Sequence, residues 1–284
     1  MGAQVGQVTG LAKAIDRLNY GRRLVPLSRV PVMVQRKVDR LWDNEDFRRA
    51  QEGQMRYLLE FTDRADEVPV LARKFTEHYM TRQFLIWHSK AVRLPVRDVE
   101  WLTVKRDQDR PMVLNFMHHH LYDGLFTSLA EAGAPVSVLT SPKVLGPDTA
   151  QQIKQHLKLV AERCPLVPAV GGTDELQKLL TPGTVMAIAS DVPGHTEVTF
   201  LGRRVLASLG AALMAHRTNS PVVVATYRRD GAGEYIQVHE PLEPRDFDGP
   251  LELLTAILRP HEEAVLAWPE ALEMPRARWG IVDQ

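Results

Sequence analysis

From residue 112 onward, short apolar runs alternate with longer amphipathic stretches. The runs are "MVLNF", "PVSVLT", "TVMAIAS" and "PVVVATY"; between and after them come "LFTSLAEAG", "DTAQQIKQHLKLVAERC", "DELQKLLTPG" and "ASLGAALMAHRT". Short, nearly continuous apolar runs suit strands buried on both faces, and helix-length segments between them supply the crossovers of a parallel sheet. The part before this reads differently. Phe47, Met55, Leu58, Leu59 and Phe61 recur near a helical period, as do Leu71, Phe75, Tyr79, Phe84 and Trp87, with residues 63 to 67 as the break. The expected fold is α/β: a mainly parallel central sheet flanked by helices, with an N-terminal helical subdomain over 1–105 and an α/β core over 106–284, as one continuous domain. A chain of 284 residues is long enough to bury such a core.

Composition and charge narrow the classes. Lys+Arg and Asp+Glu both total 35, so no overall charge draws the chain to nucleic acid. The single cysteine, Cys164, excludes an internal disulfide and a CxxC metal site, and fits a reducing cytoplasmic compartment. No 18-residue uncharged apolar run occurs, the N-terminus lacks the apolar stretch of a secretory signal, and Met1-Gly2 lacks the downstream Ser or Thr of a myristoylation motif. The chain is expected neither to span a membrane nor to be exported. Residues 11–42 change the picture locally. Lys13, Arg17, Arg22, Arg23, Arg29, Arg36, Lys37 and Arg40 stand against Asp16 and Asp39, interleaved with apolar side chains. Such a segment either lies on an anionic lipid surface or caps the core with a solvated basic face.

The chemistry concentrates in "VLNFMHHHLYDGLF", residues 113–126. Three adjacent histidines diverge in a strand or a helix and cannot all face one ion; His118 with Asp123 or a distant ligand leaves a metal open. A serine nucleophile would want a GxSxG elbow, which is absent. A histidine general base held by a carboxylate remains, with His118 and Asp123 in a His-x4-Asp arrangement at a strand-to-helix turn. In parallel sheets functional groups collect where strands end, so Asp191, after "TVMAIAS", can meet the histidines although 73 positions separate it from His118; the other reading of Asp191 is a turn cap.

Residues 113–143 resemble the first sequence block of the lysophospholipid acyltransferase superfamily, above all its branch of bacterial lipid A late acyltransferases and phosphatidylinositol mannoside acyltransferases. His118, Asp123, Gly124 and "GAPVSVL" stand at the places of that block. "LLTPGTVMAIASDVPGHTEVTFLGRR", "ASLGAALMAHRTNSPVVVATYRRD" and "AWPEALEMPRARW" resemble its later blocks in order, so the resemblance covers roughly residues 45–280. The chain departs at Leu121-Tyr122-Asp123, where the family often has Asn-Trp before the acid, at Lys143 in place of an Arg, and at Leu272 in place of a Trp.

The resemblance implies a glycerol-3-phosphate-acyltransferase-like fold. It also implies transfer of a fatty acyl group from acyl-CoA or acyl carrier protein to a hydroxyl of a lipid or glycolipid, without cofactor or metal. His118 would be the general base and Asp123 its orienting acid. Asp191, Glu197, His120, Tyr122, Lys143, Lys158 and Arg163 would contact substrate, although each cation alone also fits a solvated helix charge. An acceptor held in a bilayer implies a peripheral protein on the cytoplasmic face of the cell membrane, such as the bacterial inner membrane. Two alternatives are a histidine- or metal-dependent hydrolase built on His118, His120 and Asp191, and a non-catalytic lipid-binding relative.

Overall fold

The computed structural model describes residues 20–280. Of the basic segment at 11–42, residues 11–19 lie outside the described residues, as does the N-terminal stretch on which the expectations about a secretory signal and myristoylation rest.

Three helices come first: α1 (Val30–Trp42), α2 (Glu45–Leu59) and α3 (Val68–Leu85). Asn44 starts α2 as its cap, its side-chain oxygen accepting from the Phe47 N–H at 3.0 Å, with Glu45 and Asp46 in the favourable first turn. Helix α1 buries only Val30, Val34 and Val38, one stripe at four-residue spacing, against Met80 and Phe84 of α3.

The core is a seven-stranded sheet in the order β1-β9-β8-β2-β5-β3-β4. Its strands are β1 (Val96–Arg97), β2 (Met112–Phe116), β3 (Val136–Thr140), β4 (Leu166–Pro168), β5 (Val185–Ala189), β8 (Val222–Asp230) and β9 (Gly233–Val238). All neighbours run parallel except β8 and β9, which are antiparallel. The mainly parallel sheet expected from the apolar runs is therefore present, and those runs coincide with β2, β3, β5 and β8. The hairpin of β6 (Pro193–Phe200) and β7 (Arg203–Ala207) forms a separate two-stranded sheet.

Strand β2 is buried throughout, as its central place requires. Its side chains alternate between the two faces. Val113 and the following Met117 join the apolar layer of α2, α3 and the later helices α7 (Gly210–Thr218) and α8 (Pro250–Ala267). Met112, Leu114 and Phe116 join the opposite layer, with Phe126 and Leu129 of α4 (Leu125–Glu131) and Val160 of α5 (Gln151–Ala161). A short helix α6 (Gly172–Gln177) precedes β5, and α9 (Pro275–Arg278) closes the described chain. This C-terminal segment returns to the N-terminal helices, where the Arg276 N–H donates to the Gln54 side chain at 3.1 Å.

Candidate active site

Parallel pairing of β2 with β5 sets the centre of the site. Met112 faces Val185 and Phe116 faces Ala189, a constant offset of 73 positions. Continued two residues past both strand ends, the same register brings His118 opposite Asp191. The Nδ1–H of His118 donates to Asp191 Oδ1 at 2.8 Å, and the His118 backbone N–H donates to Oδ2 at 2.8 Å. Asp191 is fully buried, whereas 19% of the His118 side chain is exposed. Burial alone would raise the Asp191 pKa, but His118 and then Arg278, whose Nε lies 3.9 Å away, bring it down to about 2. The carboxylate is thus an acceptor only, which fixes the proton of neutral His118 on Nδ1 and leaves Nε2 as the basic nitrogen. Burial, opposed by Asp191, holds His118 below its ordinary pKa, which favours the neutral ring.

The three histidines point three ways. Nε2 of His119 donates to the Trp268 carbonyl at 2.9 Å, and Nε2 of His120 meets Glu234 Oε2 at 3.0 Å. His120 sits at φ 51°, in the left-handed region, and its ring lies 4.1 Å from that of Trp268. His119 forms an antiparallel bridge with Leu272, flanked by the His120 N–H donating to Ala271 O and the Glu273 N–H donating to His118 O. His120 therefore does not join His118 and Asp191, and among the described residues no three His, Cys, Asp or Glu side chains are grouped to hold a metal ion.

The expected pairing of His118 with Asp123 is not formed. After the turn at His120 the chain runs through a short 3-10 turn, Tyr122–Gly124, pressed against the backbone of Val92. A Cβ on Gly124 would stand 1.8 Å from the Val92 carbonyl oxygen, so only glycine fits there. This turn aims Asp123 at α3 and α5. Asp123 accepts from Arg82 Nε at 2.5 Å and Nη2 at 3.0 Å, and from His156 Nδ1 at 2.7 Å. It is fully buried; burial would raise its pKa, but the Arg82 guanidinium and His156 hold it well below the usual carboxylate range.

Arg82 also pairs with Glu273, which in turn pairs with Arg278 and accepts from the Tyr122 hydroxyl at 2.9 Å. The Tyr122 ring lies 4.6 Å from that of His118 and 5.2 Å from that of His156, with the Arg82 guanidinium 4.1 Å from its centre. Burial raises the Tyr122 phenol to about 12. A second buried polar chain lies beneath the strand ends. Asn115 donates to Ile188 O at 3.0 Å and Ser190 Oγ at 2.7 Å, and accepts from His261 Nε2 at 2.9 Å.

The site thus assembles His118, Asp191, Asp123 and Tyr122 from the expected residues. Glu197 is not in this cluster: it pairs with Arg204 across the exposed β6–β7 hairpin at 2.6 Å. Lys143 and Lys158 are exposed, and Arg163, also exposed, approaches Glu131 at 3.9 Å. Arg82, His156, Glu273 and Arg278 were missed. Arg82 carried a legible signal, since it follows Phe75 and Tyr79 at helical spacing and so puts a cation on the apolar face of α3.

No protein-family model matches the chain, and no curated protein matches it. Among solved structures, the crystal structure of the 1-acyl-sn-glycerophosphate (LPA) acyltransferase PlsC from Thermotoga maritima is similar, with a TM-score of 0.42 and 13% sequence identity, covering 90% of this chain and 98% of that chain.

Proposed function

We propose that the protein is an acyltransferase that moves a fatty acyl group from an acyl thioester, acyl-CoA or acyl carrier protein, to a hydroxyl of a lipid or glycolipid. The observation that carries this reading is the partly exposed His118 ring, clamped through Nδ1 and its own backbone N–H by the buried Asp191 carboxylate, which leaves Nε2 as the ring nitrogen not bonded to it. Such an imidazole takes a proton from a hydroxyl as the oxygen attacks the thioester carbonyl, and Asp191 stabilises the imidazolium that forms. The ordered sequence blocks that resemble the lysophospholipid acyltransferase superfamily support the same reaction class. In this reading the orienting acid of His118 is Asp191, while Asp123 acts one step away.

A bilayer that carries the acceptor fits the outer face of α1. There Val32 and Met33 are exposed beside Arg29, Arg36, Lys37 and Arg40, and Leu24 and Leu27 are exposed just before the helix. Mixed apolar and cationic surface of this kind binds anionic bilayers, each cation adding about 1 kcal/mol. Helix α1 rests on Phe84, two residues from Arg82, so the interface is one helix removed from the site. No helix among the described residues is long and apolar enough to cross a membrane. The reading places the protein peripherally on the cytoplasmic face of the membrane.

The test is release of free thiol from palmitoyl-CoA by the purified protein in the presence of lysophospholipid- and glycolipid-containing vesicles, with the acylated lipid identified by mass spectrometry. His118→Ala is expected to lower turnover by about 10³-fold; undiminished turnover removes His118 as the base. In flotation assays, Arg36→Glu with Lys37→Glu is expected to reduce recovery on anionic vesicles and leave the weak recovery on neutral ones unchanged. Equal flotation of the variant and the unaltered protein removes α1 as the lipid contact.

A further inference from the structure

The Tyr122 ring touches two imidazoles, and each imidazole is held by a buried carboxylate. His118 is held by Asp191 and His156 by Asp123. The two pairs match in construction. In both, Nδ1 lies 2.7 to 2.8 Å from a carboxylate oxygen. In both, the carboxylate is fully buried while about a fifth of the imidazole is exposed, 19% for His118 and 21% for His156. Arg82 holds Asp123 from two nitrogens, so that carboxylate is kept ionised and can only accept. The Nδ1–H of His156 is therefore committed to Asp123, and Nε2 is the nitrogen left to exchange protons. Gln155, the residue before His156, donates to the Ile86 carbonyl at 3.1 Å, and Thr127 donates to the Leu159 carbonyl at 2.9 Å. Both bonds fix the stretch of α5 that presents the ring.

General-base chemistry at His118 uses one of these rings and leaves the other without a task. Acyl transfer from a thioester has a second proton to place. Even the cysteine thiol ionises only near pH 8.5, and a plain alkyl thiol is a weaker acid, so the departing sulfur takes up a proton at neutral pH. We propose that His156, oriented by Asp123 and Arg82, is a second catalytic residue that donates a proton from Nε2 to the leaving thiol. This rests on the acyl-transfer reading. In the step, the acceptor oxygen forms a bond to the thioester carbonyl carbon as its proton passes to Nε2 of His118. The carbon–sulfur bond then breaks, and its electron pair leaves on sulfur, which takes the proton from Nε2 of His156 in its imidazolium form; the ring is left neutral with its remaining proton on Nδ1 toward Asp123. The two imidazoles finish with exchanged protonation states and are restored through water. Asp123 and Arg82 are positioning residues for this acid, as Asp191 is for the base.

The test compares leaving groups. His156→Gln keeps an N–H donor toward Asp123 but has no proton to give. With acyl-CoA, whose alkyl thiol is a poor leaving group, single-turnover transfer is expected to fall by about 100-fold. With an aryl thioester of the same acyl chain, whose thiolate leaves without help, the loss is expected to shrink to under about 10-fold. Equal losses with both thioesters, or no loss with acyl-CoA, overturn the assignment. A measurement on the unaltered protein covers the case in which the variant does not fold. Across a series of thioesters, a shallow dependence of rate on thiol acidity supports an internal acid, and a steep one overturns it. No thiol release by the unaltered protein from any thioester overturns the acyl-transfer reading itself, an outcome distinct from the other two.

Discussion

The two histidine–carboxylate pairs around Tyr122 are alike in geometry and differ in what holds them. His118 and Asp191 are brought together by backbone: two parallel strands in register deliver both residues to one edge, and the His118 N–H adds a second bond. Asp123 and His156 are brought together by charge. The carboxylate sits in a turn, the imidazole on a helix, and Arg82 from a third element binds the turn in place. The first pair can lose its charge and keep its position. The second cannot, because Arg82 is only 5% exposed and its countercharges define where it sits.

That difference is open to direct attack. Asp191→Asn keeps the strand register, so the protein is expected to remain folded while transfer falls by about 10²- to 10³-fold, as measured by thiol release beside a urea unfolding curve. Arg82→Met leaves Asp123 buried and takes a partner from Glu273, and the unfolding free energy is expected to fall by about 3–5 kcal/mol. If Asp191→Asn proves the more destabilising of the two, the division into a backbone-held and a charge-held pair is wrong.

Acid should separate the groups next, and the direction follows from where each binds its proton. Burial lowers the His119 pKa to about 4 and that of His261 to about 3, and holds His78 and His120 below the ordinary value as well. Between about pH 6.5 and 4 the unfolded chain therefore binds protons that the folded one refuses, so stability falls as pH is lowered through this range. His119 alone accounts for on the order of 3 kcal/mol by pH 4. Its Nδ1 has no hydrogen-bond partner, so a proton added there would be buried unpaired. The depressed carboxylates act later. The stability from Asp191 is present above the ordinary carboxylate pKa and is lost as pH falls through about 2. Urea midpoints that stay constant from pH 7 to 4.5 would contradict this order.

The smallest effect belongs to the ring between the pairs. Tyr122→Phe removes one bond to Glu273, which keeps both arginines, and is expected to cost about 0.5–1.5 kcal/mol. Because the ring remains beside both imidazoles, activity should fall by less than in Asp191→Asn.

Much of the scaffold was legible before any coordinates. The runs at 112–116, 136–140, 185–189 and 222–227 read as strands, because short runs rich in branched and apolar residues, separated by helix-length segments, suit a covered parallel sheet. The break between α2 and α3 was visible at 63–67. The strands β1, β4 and β9 and the β6–β7 hairpin were not read, since β1 and β4 are only two and three residues long and the others mix exposed polar residues into their alternation. Asp191 was legible as a strand-end residue, though only as a second carboxylate.

The sequence by itself determined which residues lie at the ends of β2 and β5, because apolar runs define strands and polar residues end them. It also located the histidine cluster, whereas Arg82 was missed although it follows Phe75 and Tyr79 at helical spacing. Which acid serves which imidazole was decided only in three dimensions. Spacing along a chain fixes a distance, not a direction. The four residues between His118 and Asp123 contain a left-handed turn at His120, so a carboxyl near in sequence faces α3 instead. The register of two hydrogen-bonded strands spans 73 positions without that ambiguity, since each further residue pair keeps the same alignment.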